Sequence, residues 1–299
     1  MSYNSLNYDS VVQNVGQKYN PYENLGRIQK VILTPVDFSF QDESAALTRS
    51  NWQDAIEQIA DRVFPLPDFW QVEDNSEDSA YDERPGGKIL VEEGQHVIRG
   101  MCKLSMYDTK KLRSFNNKSW RAWLVDVNGN IIGTNLTGTL AQGLRVRNLT
   151  VEKMMLPNSE VTNWVPVNIH FDDAAEIMDN GIILQPKNKD ADAWDPTDLD
   201  GLTDVELTVE SQTTSQVTVK AQAEKKGVNL TGFDETGDWV IKDDSESSVS
   251  VTSVTDNGDG TYVLEASLSA GTYTVDLADP KDLSQDGYES TGSVEFTTS

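Results

Sequence analysis

Two histidines, one cysteine and a surplus of carboxylates are the groups in this sequence that could do chemistry. His96 and His170 lie away from any serine or cysteine nucleophile motif, so acyl transfer by a Ser/His/Asp or Cys/His arrangement has no constellation to run on. Cys102 shares strand parity with Ile98 and Leu104, which predicts a buried structural thiol rather than a nucleophile. There is no Walker phosphate loop, no H-E-x-x-H and no C-x-x-C pair, so a phosphate cradle or a common zinc site is not expected. Carboxylates pair up throughout the chain, and no one pair points to glycosidic chemistry. Asp256 and Asp259 flank Asn257 and Gly258 and invite a calcium reading. Their spacing lacks the ligand alternation and closing glutamate of an EF-hand loop, however, and turn formation accounts for them better. Trp120 and Trp123 fall on opposite faces of one strand, one suited to a core and the other to an interface anchor instead of a sugar platform. The expectation is a protein that is not an enzyme, with no catalytic, cofactor-binding or metal-ligating residues and no cofactor.

The elements that position these groups follow from composition and periodicity. A chain of 299 residues has room for two domains. Its 24 basic residues against 49 acidic ones give a net charge of -25, which opposes attraction to nucleic acid or anionic lipid. The deficit is densest at the end, where residues 201–299 carry 5 basic and 19 acidic side chains. With a single cysteine no intrachain disulfide can form. The opening residues lack a secretory signal pattern and no apolar run is long enough for a membrane span, so synthesis and folding in a cytoplasm are expected.

Residues 1–30 are polar and aperiodic and read as an N-terminal arm. Residues 31–184 read as a β-domain. Within it, Trp52, Ala55, Ile56, Ile59, Ala60 and Val63 recur at helical spacing behind Ser50 and predict a helix over 50–63. Pro65 and Pro67 then open a long acidic loop over 68–87. Residues 95–107 alternate as a strand, Asp108 caps a short helical turn through Phe115, and Trp120 begins the next strand. Asn128-Gly129 predicts a type I′ hairpin into Ile131-Ile132. Residues 185–204, with Pro186, Pro196 and seven charged residues before Gly201, read as a charged linker. Strand alternation returns over 205–299.

The run DNGDGTYVLEASLSAGTYTVDL resembles the penultimate hairpin of filamin-like and bacterial immunoglobulin-like repeats. That resemblance implies an immunoglobulin-like β-sandwich over 205–299 with Tyr262, Leu264, Tyr273 and Val275 inside. The run GKILVEEGQHVIRGMCKLSMYDTKKLRSFNNKSWRAWLVDVNGNIIG resembles major tail-tube proteins of long-tailed bacteriophages. It is carried by the Lys110-Lys111-Leu112-Arg113-Ser114-Phe115 helix, the strand with Trp120 and Trp123, and the Val125–Gly133 hairpin.

That family implies a mainly β fold, a tube-like β-sandwich or barrel with one or two short helices. It also implies a structural virion protein, synthesised in the host cytoplasm, that assembles with copies of itself into stacked, hexameric rings of the virion tail. The 68–87 loop and the N-terminal arm would link rings, other tail proteins would join the tube, and DNA would pass transiently along an acidic lumen. The immunoglobulin-like domain would face outward, with a host-surface glycan as its contact. A capsid decoration or head-fibre protein, and a bacterial adhesin or carbohydrate-binding module, are the competing readings.

Overall fold

Period-two alternation of apolar residues dictates strands, and the computed structural model, which describes residues 25–135, 139–157, 163–188 and 192–299, is mainly β. It forms two compact units: residues 25–55 with 61–200, and residues 201–299 with 56–60.

The first unit runs β1 (Ile28–Thr34), α1 (Glu43–Ala46), α2 (Arg49–Glu57), β2 (Phe64–Pro65), β3 (Phe69–Asp74), β4 (Ala80–Arg84), β5 (Gly87–Glu92) and β6 (Val97–Cys102). It continues through α3 (Met106–Leu112), β7 (Trp120–Asp126), β8 (Ile131–Thr134), β9 (Leu144–Val151), β10 (Val165–Phe171), α4 (Ala174–Met178) and β11 (Gly181–Leu184). One antiparallel sheet has the order β11-β8-β7-β9-β10-β6-β3, with β1 pairing the other side of β7 and β2 pairing β1. The sheet curls into a half-barrel around Val31, Leu33, Phe69, Trp120, Leu144, Val167 and Ile169. Gly100 sits where a Cβ would lie 2.6 Å from the Phe69 ring, so its missing side chain lets β3 close over β6.

Every residue of β7 is buried because both of its faces are covered. Trp120 fills the half-barrel beside Phe64 and Phe115, and its indole N–H donates to the Phe115 carbonyl at 3.0 Å. Trp123 points the other way, against Trp52 of α2 and Phe40, with ring centroids 5.4 and 6.0 Å apart. The expected interface anchor is therefore a second core residue: α2 lies over the outer face of the sheet and takes Trp123 out of solvent.

Several local expectations are corrected. The helix expected over 50–63 spans Arg49–Glu57, since Asp61 turns the chain in a left-handed conformation (φ 57°) and Val63 then bonds back to the Ala55 carbonyl. Ser105, not Asp108, caps α3: its hydroxyl accepts from the Asp108 N–H and donates to the Asp108 carboxylate, so Met106 starts a helix instead of extending a strand. The hairpin after β7 forms, but only Gly129 has a positive φ (81°) and its N–H donates to the Asp126 carbonyl. That is the three-residue loop with a left-handed glycine, not type I′. Asp126, fully buried, directs it by accepting from the backbone N–H groups of Gly26, Asn128 and Asn130. Of the N-terminal arm, residues 1–24 lie outside the described residues, and β1 already begins at Ile28.

The charged stretch 185–204 does not behave as a linker. Pro186, Trp194, Pro196 and Leu199 are buried, and the Trp194 indole donates to the Leu47 carbonyl at 2.9 Å. Lys30, 2% exposed, holds the stretch from below: its ammonium donates to the carbonyls of Thr197 (2.8 Å) and Leu199 (2.9 Å) and to the Asp200 carboxylate (2.9 Å), with Asp68 at 3.4 Å. A buried ammonium needs such partners, and this one draws the chain onto β1.

The second unit contains β12 (Thr203–Gln212), β13 (Gln216–Ala223), β14 (Val228–Asn229), β15 (Trp239–Asp243), β16 (Ser248–Val249), β17 (Val251–Asp256), β18 (Thr261–Ala266), β19 (Gly271–Leu277), β20 (Tyr288–Ser290) and β21 (Val294–Thr298). One sheet has the order β17-β18-β13-β12-β20, with β14 on β13, and the other β16-β15-β19-β21. The order matches the ABED and CFG sheets of an immunoglobulin-type sandwich. Tyr262, Leu264, Tyr273 and Val275 are buried between the sheets as their alternation requires. Tyr273, near the start of β19, accepts from the Ser269 N–H at 2.9 Å and donates to the Ser269 carbonyl at 3.1 Å. That is the tyrosine corner of such sandwiches, and Trp239 supplies the buried tryptophan of the third strand.

Candidate assembly surface

The acidic stretch read as a loop over 68–87 is instead β3 followed by a hairpin of β4 and β5. Pro85-Gly86-Gly87 makes its tip, where Gly86 (φ 121°) and Gly87 (φ 146°) take conformations closed to residues with a Cβ. The carboxylates do local work. Asp82 pairs with Arg84 and Glu83 with Lys88 across the tip, while Glu73 pairs with Arg99 between β3 and β6. Hydrogen bonds from the Ser76 hydroxyl and backbone hold the Asp74 carboxyl below its ordinary range.

Among the described residues β4 and β5 pair with no third strand, and the Asn75–Val97 and Glu77–Gln95 backbone bonds tie their base to β3 and β6. Tyr81 stands opposite Leu90 on one face, and Ile89 and Val91 share the other. All four are 46–66% exposed. Among the described residues no third strand buries the apolar residues of this ribbon, and a two-stranded ribbon is marginally stable without such cover. The signal was present in the sequence as Pro-Gly-Gly ahead of the apolar run Ile89-Leu90-Val91, but the surrounding carboxylates obscured it.

A second exposed apolar surface lies beside α3. Met106, Met154 and Leu156 line a groove of about 370 Å³ whose rim carries Lys110, Arg113 and Lys153. Met106 and Leu156, 79% and 77% exposed, are the most exposed large apolar side chains among the described residues.

The groups first singled out for chemistry are scattered. The Cys102 thiol is buried with its sulfur 3.7 Å from the Pro67 carbonyl, and burial pushes its pKa up to about 12, with Asp68 adding to the shift. His96 precedes β6 and its carbonyl accepts from the Phe171 N–H, while His170 pairs with Val97 in the ladder. Asp256 accepts from the N–H groups of Gly232 and Gly258, and Asp259 accepts from the Thr261 N–H and hydroxyl, so both carboxylates build the turn. Bonds from the Thr261 side chain and then its backbone lower the Asp259 pKa. Arg121 and Glu176 form a buried pair at 3.3 Å, in which Arg121 also donates to the Gly143 and Val36 carbonyls and Glu176 accepts from the Arg145 N–H. Such a hydrogen-bonded buried pair fixes α4 against β7 and β9. Among the described residues no group of three or more His, Cys, Asp or Glu could hold a metal ion, and no helix is long and apolar enough to cross a membrane.

Compared with known proteins, the chain matches no family model and no curated protein sequence.

Proposed function

We propose that this chain is a self-assembling structural subunit of a virion, of the tail-tube kind, whose first unit builds stacked rings for DNA passage and whose immunoglobulin-like unit decorates them. The observation that carries the reading is the β4–β5 hairpin, apolar on both faces and unpaired with a third strand among the described residues. Four side chains about half exposed amount to roughly 1 kcal/mol each of unburied apolar surface, which a neighbouring copy recovers on assembly. Edge strands β3 and β11 end the curled sheet and offer ladders that a sister chain can continue. The net charge of -25 fits passage of a polyanion without adhesion.

The test is negative-stain microscopy with analytical sedimentation of the purified chain over a concentration series. Hollow tubes or six-fold rings are expected, and Ile89→Ser with Leu90→Ser weakens them without unfolding the protein. Monodisperse monomers at every concentration overturn the proposal, and compact trimers favour a decoration or fibre protein instead.

A further inference from the structure

Resting on the self-assembly reading, we infer that the β4–β5 hairpin of one copy seats in the α3 groove of the next. The two surfaces complement each other in apolar character and charge. The groove is lined by Met106, Met154 and Leu156 together with Lys110, Arg113 and Lys153. On a chain with a net charge of -25 this is a local concentration of cations around exposed methionine. Among the described residues no carboxylate lies within ion-pair distance of those three rim cations.

The hairpin offers the counterpart. Residues 77–93 hold six carboxylates and two cations, and the two cations, Arg84 and Lys88, are already spent on Asp82 and Glu83. Glu77, Asp78, Glu92 and Glu93 remain, the last two next to the apolar run Ile89-Leu90-Val91. An apolar ribbon edged by carboxylates matches an apolar groove edged by ammonium and guanidinium groups, and flexible Met side chains can close around the inserted residues. Because hairpin and groove are different surfaces, the contact can run head to tail from copy to copy, as a ring or a growing stack requires. A twofold dimer would use both reciprocally and would close at two copies.

The deciding experiment is site-directed crosslinking in the full chain. Cys102 is buried with its thiol pKa near 12, so it stays silent while the protein is folded. Leu90→Cys and Met106→Cys are introduced together, oxidised with copper phenanthroline and alkylated before denaturation. A covalent ladder of dimers, trimers and higher species is expected, whereas either single variant stops at dimers. In parallel, Lys110→Glu with Lys153→Glu, and separately Glu92→Lys with Glu93→Lys, each raise the concentration needed for assembly about tenfold. Combining all four substitutions restores it. A double-cysteine variant that gives only dimers, or only an intrachain disulfide, while the unmodified chain assembles beyond dimers, overturns the hairpin-in-groove contact and leaves assembly standing. A combined charge swap no better than the weaker pair does the same. An unmodified chain that never assembles removes both.

Discussion

Replacing Lys30 with methionine tests whether the stretch before the second unit is held by one buried ammonium. Methionine keeps the stem volume, so no large cavity forms, and what is lost is the charge and its bonds. The Asp68 and Asp200 side chains are 49% and 86% exposed, so both carboxylates rehydrate and their loss counts for little. The carbonyls of Thr197 and Leu199, at 2.8 and 2.9 Å, belong to a turn whose Leu199 is 3% exposed. Hydrogen bonds to a charged donor are worth about 1.5–3 kcal/mol each. Taking the low end for both gives a loss of about 3 kcal/mol, or a fall in Tm of roughly 6–12 °C for a unit of this size. Calorimetry reads the Tm, and limited proteolysis reads faster cleavage between residues 192 and 200. Lys225→Ala, which removes an exposed pair with Glu206 at 3.7 Å, is the control and shifts stability by less than about 0.5 kcal/mol. A Lys30→Met protein within about 1 kcal/mol of the parent, with unchanged proteolysis, refutes the assignment.

Two further predictions concern the sandwich and the thiol. Tyr273→Phe removes a hydroxyl that both donates to and accepts from Ser269 while leaving the stack on Phe296. The denaturant midpoint is expected to fall by an amount equivalent to about 2 kcal/mol, and an unchanged midpoint rejects the corner as a stabilising device. The folded Cys102 thiol stays protonated to a pKa of about 12, against an ordinary 9.0. Between those values the unfolded chain releases a proton that the folded chain keeps, so the stability it contributes is full below pH 9 and is lost as pH rises towards 12. The stability gap between the parent and Cys102→Ala should shrink across that window, and thiol reagents should not modify the folded protein at pH 8. Rapid native-state modification contradicts the burial.

What the sequence made legible was largely periodic. Alternation placed Tyr262, Leu264, Tyr273 and Val275 inside a sandwich, because a half-buried strand writes its facing into every second residue. It misled where both faces of a strand are covered: nothing near Trp123 in the chain announces that α2 will lie over it. The stretch 185–204 looked like a linker because its charges outnumber its apolar residues, yet Trp194 and Leu199 suffice to dock it once Lys30 supplies a partner for the backbone. That partner lies 169 positions away in the chain, beyond any local pattern. Proline and carboxylates around residues 68–87 hid the hairpin, since turn residues at its tip and charges on its rungs read the same as an unstructured loop. The groove beside α3 was not visible at all, as Met106 and Leu156 are brought together only by the tertiary fold.

Val275 follows Tyr273 by two positions, the place where antibody domains put the second cysteine of their bridge between sheets. Here that place is filled by a branched hydrocarbon, fully enclosed. Reductants therefore have no bond to cut, and the sandwich needs no oxidising compartment or isomerase to mature. Loops grafted onto such a scaffold would fold as readily inside a cell as outside it.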